Sequence, residues 1–120
     1  MTRNHEELKV FEMADALVVR VYRVTQQFPT EERFGLQSQI RRAAISVPTN
    51  IVEGSARASL RDYIHFLVLA LSSASEARYL IDVAHRLAIL SKTDHAEMDL
   101  AYANLLRAME KMISALRTRL

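Results

Sequence analysis

The sequence contains no cysteine and no tryptophan, and only two glycines and two prolines occur among its 120 residues. Without cysteine, the chain has neither a disulfide framework nor a thiolate metal site. Few glycines and prolines mean few tight turns, which β-sheet proteins need in number, so the composition argues against an all-β fold. Hydrophobic residues make up 50% of the chain. That share supports one core, and we predict a single domain over residues 1–120.

Long apolar runs are also missing. The longest, at residues 66–71, is far shorter than the roughly 20 residues that span a bilayer. The N-terminal residues are polar and include Glu6 and Glu7, unlike a secretory signal peptide. Together with the lack of cysteine, these features predict a cytoplasmic protein that does not enter a membrane.

The residue patterns that carry catalysis are absent as well. The four histidines show none of the spacings that place metal ligands on a helix, and no glycine-rich phosphate loop occurs. Ser72, Ser73 and Ser75 lie in an alanine-rich stretch that supplies no base and no oxyanion site. Asp82 and His85 have the spacing of a surface pair. We therefore predict a protein that is not an enzyme, with no metal site and no cofactor.

Apolar residues recur at steps of three and four in four successive segments, which is the pattern of amphipathic helices. Short linkers between such helices place them antiparallel to their neighbours. The sequence therefore predicts an all-α fold, an antiparallel up-down-up-down four-helix bundle. The predicted helices cover residues 10–28, 31–53, 60–87 and 92–116, the last of them after a capping motif at Ser91 and Asp94.

The second helix has recognisable ends and one irregularity. Pro29 ends the first helix, Thr30 is the expected N-cap of the second, and Gly54 is its expected C-cap. Pro48 lies inside the helix and has no N–H for the carbonyl of Ala44, so we expect a kink there.

Polar residues surround this proline. Ser46 and Asn50 are placed to satisfy backbone groups that a kink frees, and Glu53 precedes Arg57 by four residues, the favourable order for a helical ion pair. A binding site is the alternative interpretation, but structural work accounts for all of these residues. The resulting structural motif consists of Ser46, Pro48, Asn50, Glu53 and Gly54.

The third helix carries more apolar surface than one stripe requires. Between Tyr63 and Leu71 the only polar residue is His65, and a helix that is apolar all round is buried on several sides. Large exposed apolar patches usually mark interfaces, so we predict a homo-oligomer, assembled into a ring. The alternative is that the wide stripe reflects thick packing within one chain. The predicted interface residues are Tyr63, Ile64, Phe66, Val68 and Leu71.

The charge is mildly basic, with a formal net charge of +2. Arginine accounts for most of the basic residues, and its planar fork suits phosphate, although a high-GC genome produces the same bias. The excess lies in residues 31–61, which hold five basic and three acidic residues. A ring would repeat this patch and form a basic surface for a polyanion, while a solvated helix face is the alternative interpretation. The basic residues are Arg33, Arg41, Arg42, Arg57 and Arg61.

Three blocks of this region resemble one family. They are Phe28-Pro29-Thr30-Glu31-Glu32-Arg33-Phe34-Gly35-Leu36, Gln39-Ile40-Arg41-Arg42-Ala43, and Ser46-Val47-Pro48-Thr49-Asn50-Ile51-Val52-Glu53-Gly54 with Arg57. Together with Leu8-Lys9-Val10-Phe11 and the stretch 63–80, they resemble the four-helix-bundle proteins encoded in intervening sequences of bacterial 23S ribosomal RNA genes. That family is in turn similar to the accessory protein of diversity-generating retroelements. Val52 departs from the family pattern, which usually has alanine.

The resemblance implies a ring, with a pentamer as the expected assembly, and a basic surface that binds nucleic acid, RNA or DNA. Arg41, Arg42 and Arg57 match the family blocks, and Arg61 follows them in the same basic region. The leading hypothesis is an RNA-binding accessory protein. One alternative is a scaffold that docks another protein, and a weaker one is an enzyme or ligand carrier that uses a pore or a pocket between subunits.

Overall fold

The computed structural model of the protein describes residues 5–120. Apart from the helices, the described chain consists of turns and short connections, and one of these contains a single turn of 3₁₀-helix at Thr30–Glu32. The four α-helices are α1 His5–Thr25, α2 Leu36–Ser55, α3 Leu60–Arg86 and α4 Lys92–Arg117.

The helices form a closed four-membered arrangement. Each packs against its neighbours in the order α1, α2, α3, α4 and back to α1, whereas the diagonal pairs have no Cα atoms within 8 Å of one another in residues 5–120. The connections are short, so consecutive helices run in opposite directions. The prediction of an all-α four-helix bundle is confirmed.

The core divides into small and large side chains. The buried face of α3 carries four alanines, at positions 70, 74, 77 and 84. The buried face of α4 carries mostly larger side chains, among them Met98, Tyr102 and Met109. Alternating large and small residues across facing helices lets the layers interdigitate. The apolar stripes predicted for α3 and α4 from Tyr63 and Met98 onward are buried as expected.

The start of α2 differs from the prediction. Thr30 is not its N-cap, because residues 30–32 form a separate 3₁₀ turn and α2 begins only at Leu36. The carboxylate of Glu32 instead satisfies the end of the helix, since its Oε1 accepts a hydrogen bond from the Leu36 backbone N–H at 3.0 Å. The first helix also ends earlier than predicted, at Thr25, yet Phe28 still reaches the core.

Gly54 is not the C-cap of α2, which continues to Ser55 and is capped by Ala56. Gly54 is buried inside the helix, where α3 approaches closely. A Cβ atom at this position would lie 2.8 Å from Cβ of Phe66 and 3.1 Å from Cδ1 of Tyr63. The requirement for glycine is therefore the close contact of two helices, not the turn that follows.

Pro48 lies inside α2 without breaking it. Two side chains after it bond back to carbonyls of the preceding turn: the Thr49 hydroxyl donates to the Ile45 carbonyl at 2.8 Å, and the Asn50 amide donates to the Ser46 carbonyl at 2.8 Å. Such bonds give carbonyls near a helix proline an extra donor. Neither bond reaches the carbonyl of Ala44, which is the one that Pro48 leaves without its helical donor. The role predicted for Asn50 in satisfying that group stays a prediction.

The helix α3 is long and apolar enough to meet the length and composition criteria for a membrane span. A core helix of a soluble bundle meets the same criteria. Its most buried residues face α2 and α4, and its alanines lie at the centre of the bundle. Burial within the chain covers 33% of its most apolar stretch, so this position accounts for only part of its hydropathy.

Candidate functional site

A groove of about 580 Å³ runs along the outer side of α2, beside the last turns of α1. Three arginines, two aromatic rings and several neutral polar groups line it, and no acidic side chain is among the lining residues. They are Tyr22, Arg33, Phe34, Gln37, Ser38, Arg41, Arg42, Ile45, Ser46 and Thr49.

Arg41 is held in this groove by neutral groups. Its Nε donates to the hydroxyl of Thr25 at 2.8 Å, and its Nη2 donates to the carbonyl of Tyr22 at 3.3 Å. The amide of Gln37, in the orientation that satisfies both of its polar atoms, accepts from Nη1 at 3.2 Å. The guanidinium also lies 4.4 Å from the centre of the Tyr22 ring. Arg41 thus joins α2 to the C-terminal end of α1, where a positive charge is favourable, and none of these partners neutralises it.

Thr25 is a buried polar residue that makes this arrangement possible. Its hydroxyl donates to the carbonyl of Val21 at 2.7 Å and accepts from Arg41, so both of its hydrogen-bonding roles are filled. Polar groups rarely remain buried without such partners. The buried hydroxyl of Thr25 therefore fixes the position of the Arg41 guanidinium.

The two other arginines are more exposed. Arg42 forms an ion pair with Glu76 on α3. Arg33 lies beside Phe34, with its guanidinium carbon 5.5 Å from the ring centre, and within the described part of the chain it makes no ion pair. A cation next to an aromatic face is a weak but favourable contact at an exposed site.

At three of the four contacts between neighbouring helices, an arginine forms an ion pair with a carboxylate of the neighbouring helix. Arg20 of α1 pairs with Glu97 of α4, Arg42 of α2 with Glu76 of α3, and Arg78 of α3 with Asp99 of α4. The α1–α2 contact has no such carboxylate within residues 5–120, because Arg41 bonds only to neutral acceptors there. Among the four contacts between neighbouring helices, the α1–α2 contact is thus the one whose arginine, Arg41, has no carboxylate partner in residues 5–120.

The Arg78–Asp99 pair shows what compensation does. Nε of Arg78 donates to Oδ1 of Asp99 at 2.8 Å and Nη2 donates to Oδ2 at 3.2 Å, a bidentate geometry. These hydrogen bonds lower the pKa of Asp99 and raise the pKa of Arg78. The two charges therefore neutralise one another.

Arg57 and Arg61 lie at the opposite end of α2 from the groove. From Arg41 to Ser55 the helix rises by about 20 Å, so the four predicted binding arginines do not form one cluster. Arg57 lies beyond the helix end, with its guanidinium 4.6 Å from the centre of the Phe66 ring. In the described chain it makes no ion pair with Glu53, because α2 ends before position 57 and the i,i+4 geometry is lost.

The comparisons with known proteins agree with this fold. The family model of the 23S rRNA-intervening sequence protein matches residues 6–113. The chain belongs to this family. A crystal structure of a protein with unknown function from the S23 ribosomal protein family of Bacteroides thetaiotaomicron has a TM-score of 0.84 and 21% sequence identity. The match covers 91% of this chain and 98% of that one, and it supports the bundle fold. None of the curated proteins matches the sequence.

The predicted oligomer interface of this intervening-sequence family member is divided between the core and the surface. Tyr63 and Ile64 are buried within the single chain, which corrects their assignment to an interface. Phe66 is half-buried where α2 meets α3, beneath Arg57. Val68 and Leu71 are half-buried and pack on the core with part of their surface outward. Thick packing within the chain thus accounts for part of the apolar stretch.

The histidines at the α3–α4 end form a small polar cluster. His95 lies 3.2 Å from a carboxylate oxygen of Asp82, and its ring stacks on His85 with centres 4.3 Å apart. Asp82 also accepts from Arg86 at 2.9 Å. Asp82 therefore contacts His95 and Arg86, and not His85 as predicted. Over residues 5–120, no group of three or more potential ligands is placed to bind a metal ion.

Three groove residues of this family member were not predicted as binding residues from the sequence. Tyr22 lies within the first predicted helix and was given no binding role, Phe34 was only part of a family block, and Arg33 was counted only as charge. The available signal was the Arg33-Phe34 pair directly before Gly35, since an aromatic residue next to a turn has no helix stripe to join. Their convergence with Arg41 depends on how α1 meets α2, which the sequence does not specify.

Proposed function

We propose that this protein is a non-enzymatic, homo-oligomeric RNA-binding protein that holds the phosphate backbone in the groove between α1 and α2. The observation that carries the proposal is the composition of the groove, with three arginines and no acidic lining residue. Positive charge of this kind gives affinity for a polyanion without reading its sequence.

The contacts assign different tasks to the three arginines. Arg41 is pre-positioned by Thr25 and the Tyr22 carbonyl, so it keeps its place when a ligand is absent. Arg33 and Arg42 are exposed to solvent, so phosphate oxygens can reach both guanidinium groups, although Arg42 is already paired with Glu76. Glu76 competes with phosphate for Arg42, because the two groups use the same guanidinium.

The proposal includes assembly into a ring, which would repeat the groove around the oligomer. Its support is the apolar surface on the α3–α4 side, away from the groove. Tyr79 is 62% exposed there, and the half-buried Val68 and Leu71 share α3 with it. Surface of this kind is typical of interfaces between subunits.

The test uses the double variant Arg33→Ala with Arg42→Ala, in preference to Arg41, whose loss would also loosen α1 from α2. Binding to a structured RNA is measured by fluorescence anisotropy over a range of salt concentrations. We expect roughly tenfold weaker binding at low salt, and a slope of log affinity against log salt that is smaller by about 1 to 2.

The matched control is Arg117→Ala with Arg119→Ala, which removes the same charge from the exposed end of α4. We expect this variant to bind nearly as well as the parent. A second variant changes the sign of the effect: Glu76→Gln frees Arg42 and should strengthen binding. Equal losses in the groove and control variants, or no binding of RNA or DNA by the intact parent at low salt, would refute the proposal.

A protein-docking scaffold is the alternative. It predicts that a specific protein partner is recovered after nuclease treatment, and that Glu76→Gln leaves RNA affinity unchanged. Arg57 and Arg61 stay predicted contacts for a ligand long enough to reach the far end of α2.

A further inference from the structure

Phe34 is the most exposed large apolar side chain of the described protein, with 89% of its surface accessible. It lies between the 3₁₀ turn and α2 at one end of the groove, and it packs against no core residue. An exposed aromatic ring next to arginines is the arrangement with which proteins stack unpaired bases.

We propose that the groove selects unpaired nucleotides and that one base stacks on Phe34 while neighbouring phosphates bind Arg33 and Arg42. The inference rests on the proposed RNA-binding function and states which form of nucleic acid the groove takes. In a duplex the bases stack on one another and the deep major groove of A-form RNA keeps side chains out, so Phe34 would have no base to contact.

The two aromatic rings of the groove are not equivalent. Arg41 covers one face of Tyr22 at 4.4 Å, and that guanidinium is fixed by Thr25. The guanidinium beside Phe34, at 5.5 Å, is that of Arg33, which is exposed and makes no ion pair in the described chain. A base can displace Arg33 or share the ring with it, whereas Tyr22 stays occupied. Phe34 is therefore the stacking residue and Tyr22 helps to position Arg41.

The dimensions of the groove agree with a single strand. Its volume of about 580 Å³ lies in the range of sites that enclose small ligands, roughly 300–1,000 Å³. Its lining extends from Phe34, just before α2, along that helix to Thr49, so several nucleotides can follow the helix. Beyond the arginines the lining is neutral. The hydroxyls of Ser38 and Ser46 can reach sugar and phosphate groups, whereas the Thr49 hydroxyl donates to the Ile45 carbonyl.

The experiment compares an unstructured single-stranded RNA of about 12 nucleotides with the duplex formed from it and its complement, by anisotropy at one low salt concentration. We expect the parent protein to prefer the single strand. Phe34→Ala should weaken single-strand binding about tenfold and leave duplex binding unchanged. Phe34→Tyr keeps a ring and should bind like the parent. The control is Leu120→Ala, another exposed apolar residue, which should have no effect.

A spectroscopic measurement reports on stacking directly. Because the chain contains no tryptophan, Phe34→Trp introduces a single indole at the proposed contact. We expect its fluorescence to be quenched by the single-stranded RNA, and hardly at all by the duplex.

The outcomes separate this inference from the proposed function. If the parent protein binds neither RNA, the proposed function fails. If it binds both forms equally, or if Phe34→Ala binds the single strand as tightly as the parent, only the stacking inference fails. A further outcome is that Phe34→Trp emits at a blue-shifted wavelength in the absence of RNA, while Phe34→Ala binds the single strand with unchanged affinity. That pair of results would show that Phe34 packs against a second copy of the chain, and it would also overturn the inference.

Discussion

Tyr102 shows at the scale of one residue how the core accepts a polar group. It is among the largest fully buried side chains, and its hydroxyl has no hydrogen-bond partner in the described structure. Burial raises the pKa of this hydroxyl, because the ionised form would lose its hydration. The ring contributes packing to the centre of α4, whereas the hydroxyl costs free energy.

Tyr102→Phe should therefore stabilise the protein by about 1 kcal/mol at neutral pH, as measured by urea unfolding. The gain should increase at alkaline pH. Above about pH 10 the tyrosine ionises in the unfolded chain while the folded state keeps its proton, so the parent loses stability as the pH rises and the variant is spared that loss.

Tyr79→Phe is the control, since Tyr79 is exposed and should respond at neither pH. A loss of stability in Tyr102→Phe would mean that the hydroxyl makes a favourable contact, contrary to this account.

At the scale of the helices, the α2–α3 contact depends on small residues. Ala43, Ala44 and Gly54 of α2 are buried, as are Ala70 and Ala74 of α3. The sequence predicted the buried stripes of both helices, because periodicity depends only on spacing along the chain. It assigned Gly54 to a cap, because a glycine near a helix end is usually a cap and the approach of α3 cannot be read from α2 alone.

Gly54→Ala tests this contact. The added methyl group would meet Cβ of Phe66, which the backbone of α3 holds in place, so the helices must move apart. Overpacking of this kind costs about 1–3 kcal/mol and exceeds the helix-propensity gain of up to about 1 kcal/mol. We expect a lower free energy of unfolding in urea.

The control for that prediction is Gln39→Ala on the exposed side of α2, which should change stability by less than about 0.5 kcal/mol. If Gly54→Ala is as stable as the control, the helices have room to adjust and the close contact is not what requires glycine.

At the scale of the whole molecule, the fold was predictable and the site only in part. Four periodic stripes determine four helices, so the bundle follows from local pattern. Arg41 and Arg42 both line the groove, but they are consecutive in α2 and bond in different directions, Arg41 to α1 and Arg42 to Glu76 of α3. Their binding role stays a prediction. Phe34 and Tyr22 join them only through the packing of α1 on α2, and Arg57 is separated from them by the length of α2. Distances between helices are set by tertiary packing and carry no simple signature in the sequence.

The predicted oligomer can be tested by light scattering on the purified protein. We expect a mass several times the 13.7 kDa of one chain. Val68→Glu with Tyr79→Glu places charges on the apolar surface of α3 and should shift the mass toward the monomer, while Leu120→Glu should leave it unchanged. Helical content measured by circular dichroism should stay constant in all three proteins. A parent protein of monomer mass would contradict the ring.

The uneven pairing of charge around the bundle has a kinetic consequence. On the α3–α4 side Arg78 and Arg86 are paired with carboxylates, whereas Arg41 in the α1–α2 groove bonds only to neutral groups. If the groove binds RNA, its positive charge attracts the diffusing RNA toward the groove. The RNA is therefore oriented relative to the protein before any contact forms. Added salt should then slow association, whereas the loss of the Phe34 ring should shorten the lifetime of the complex.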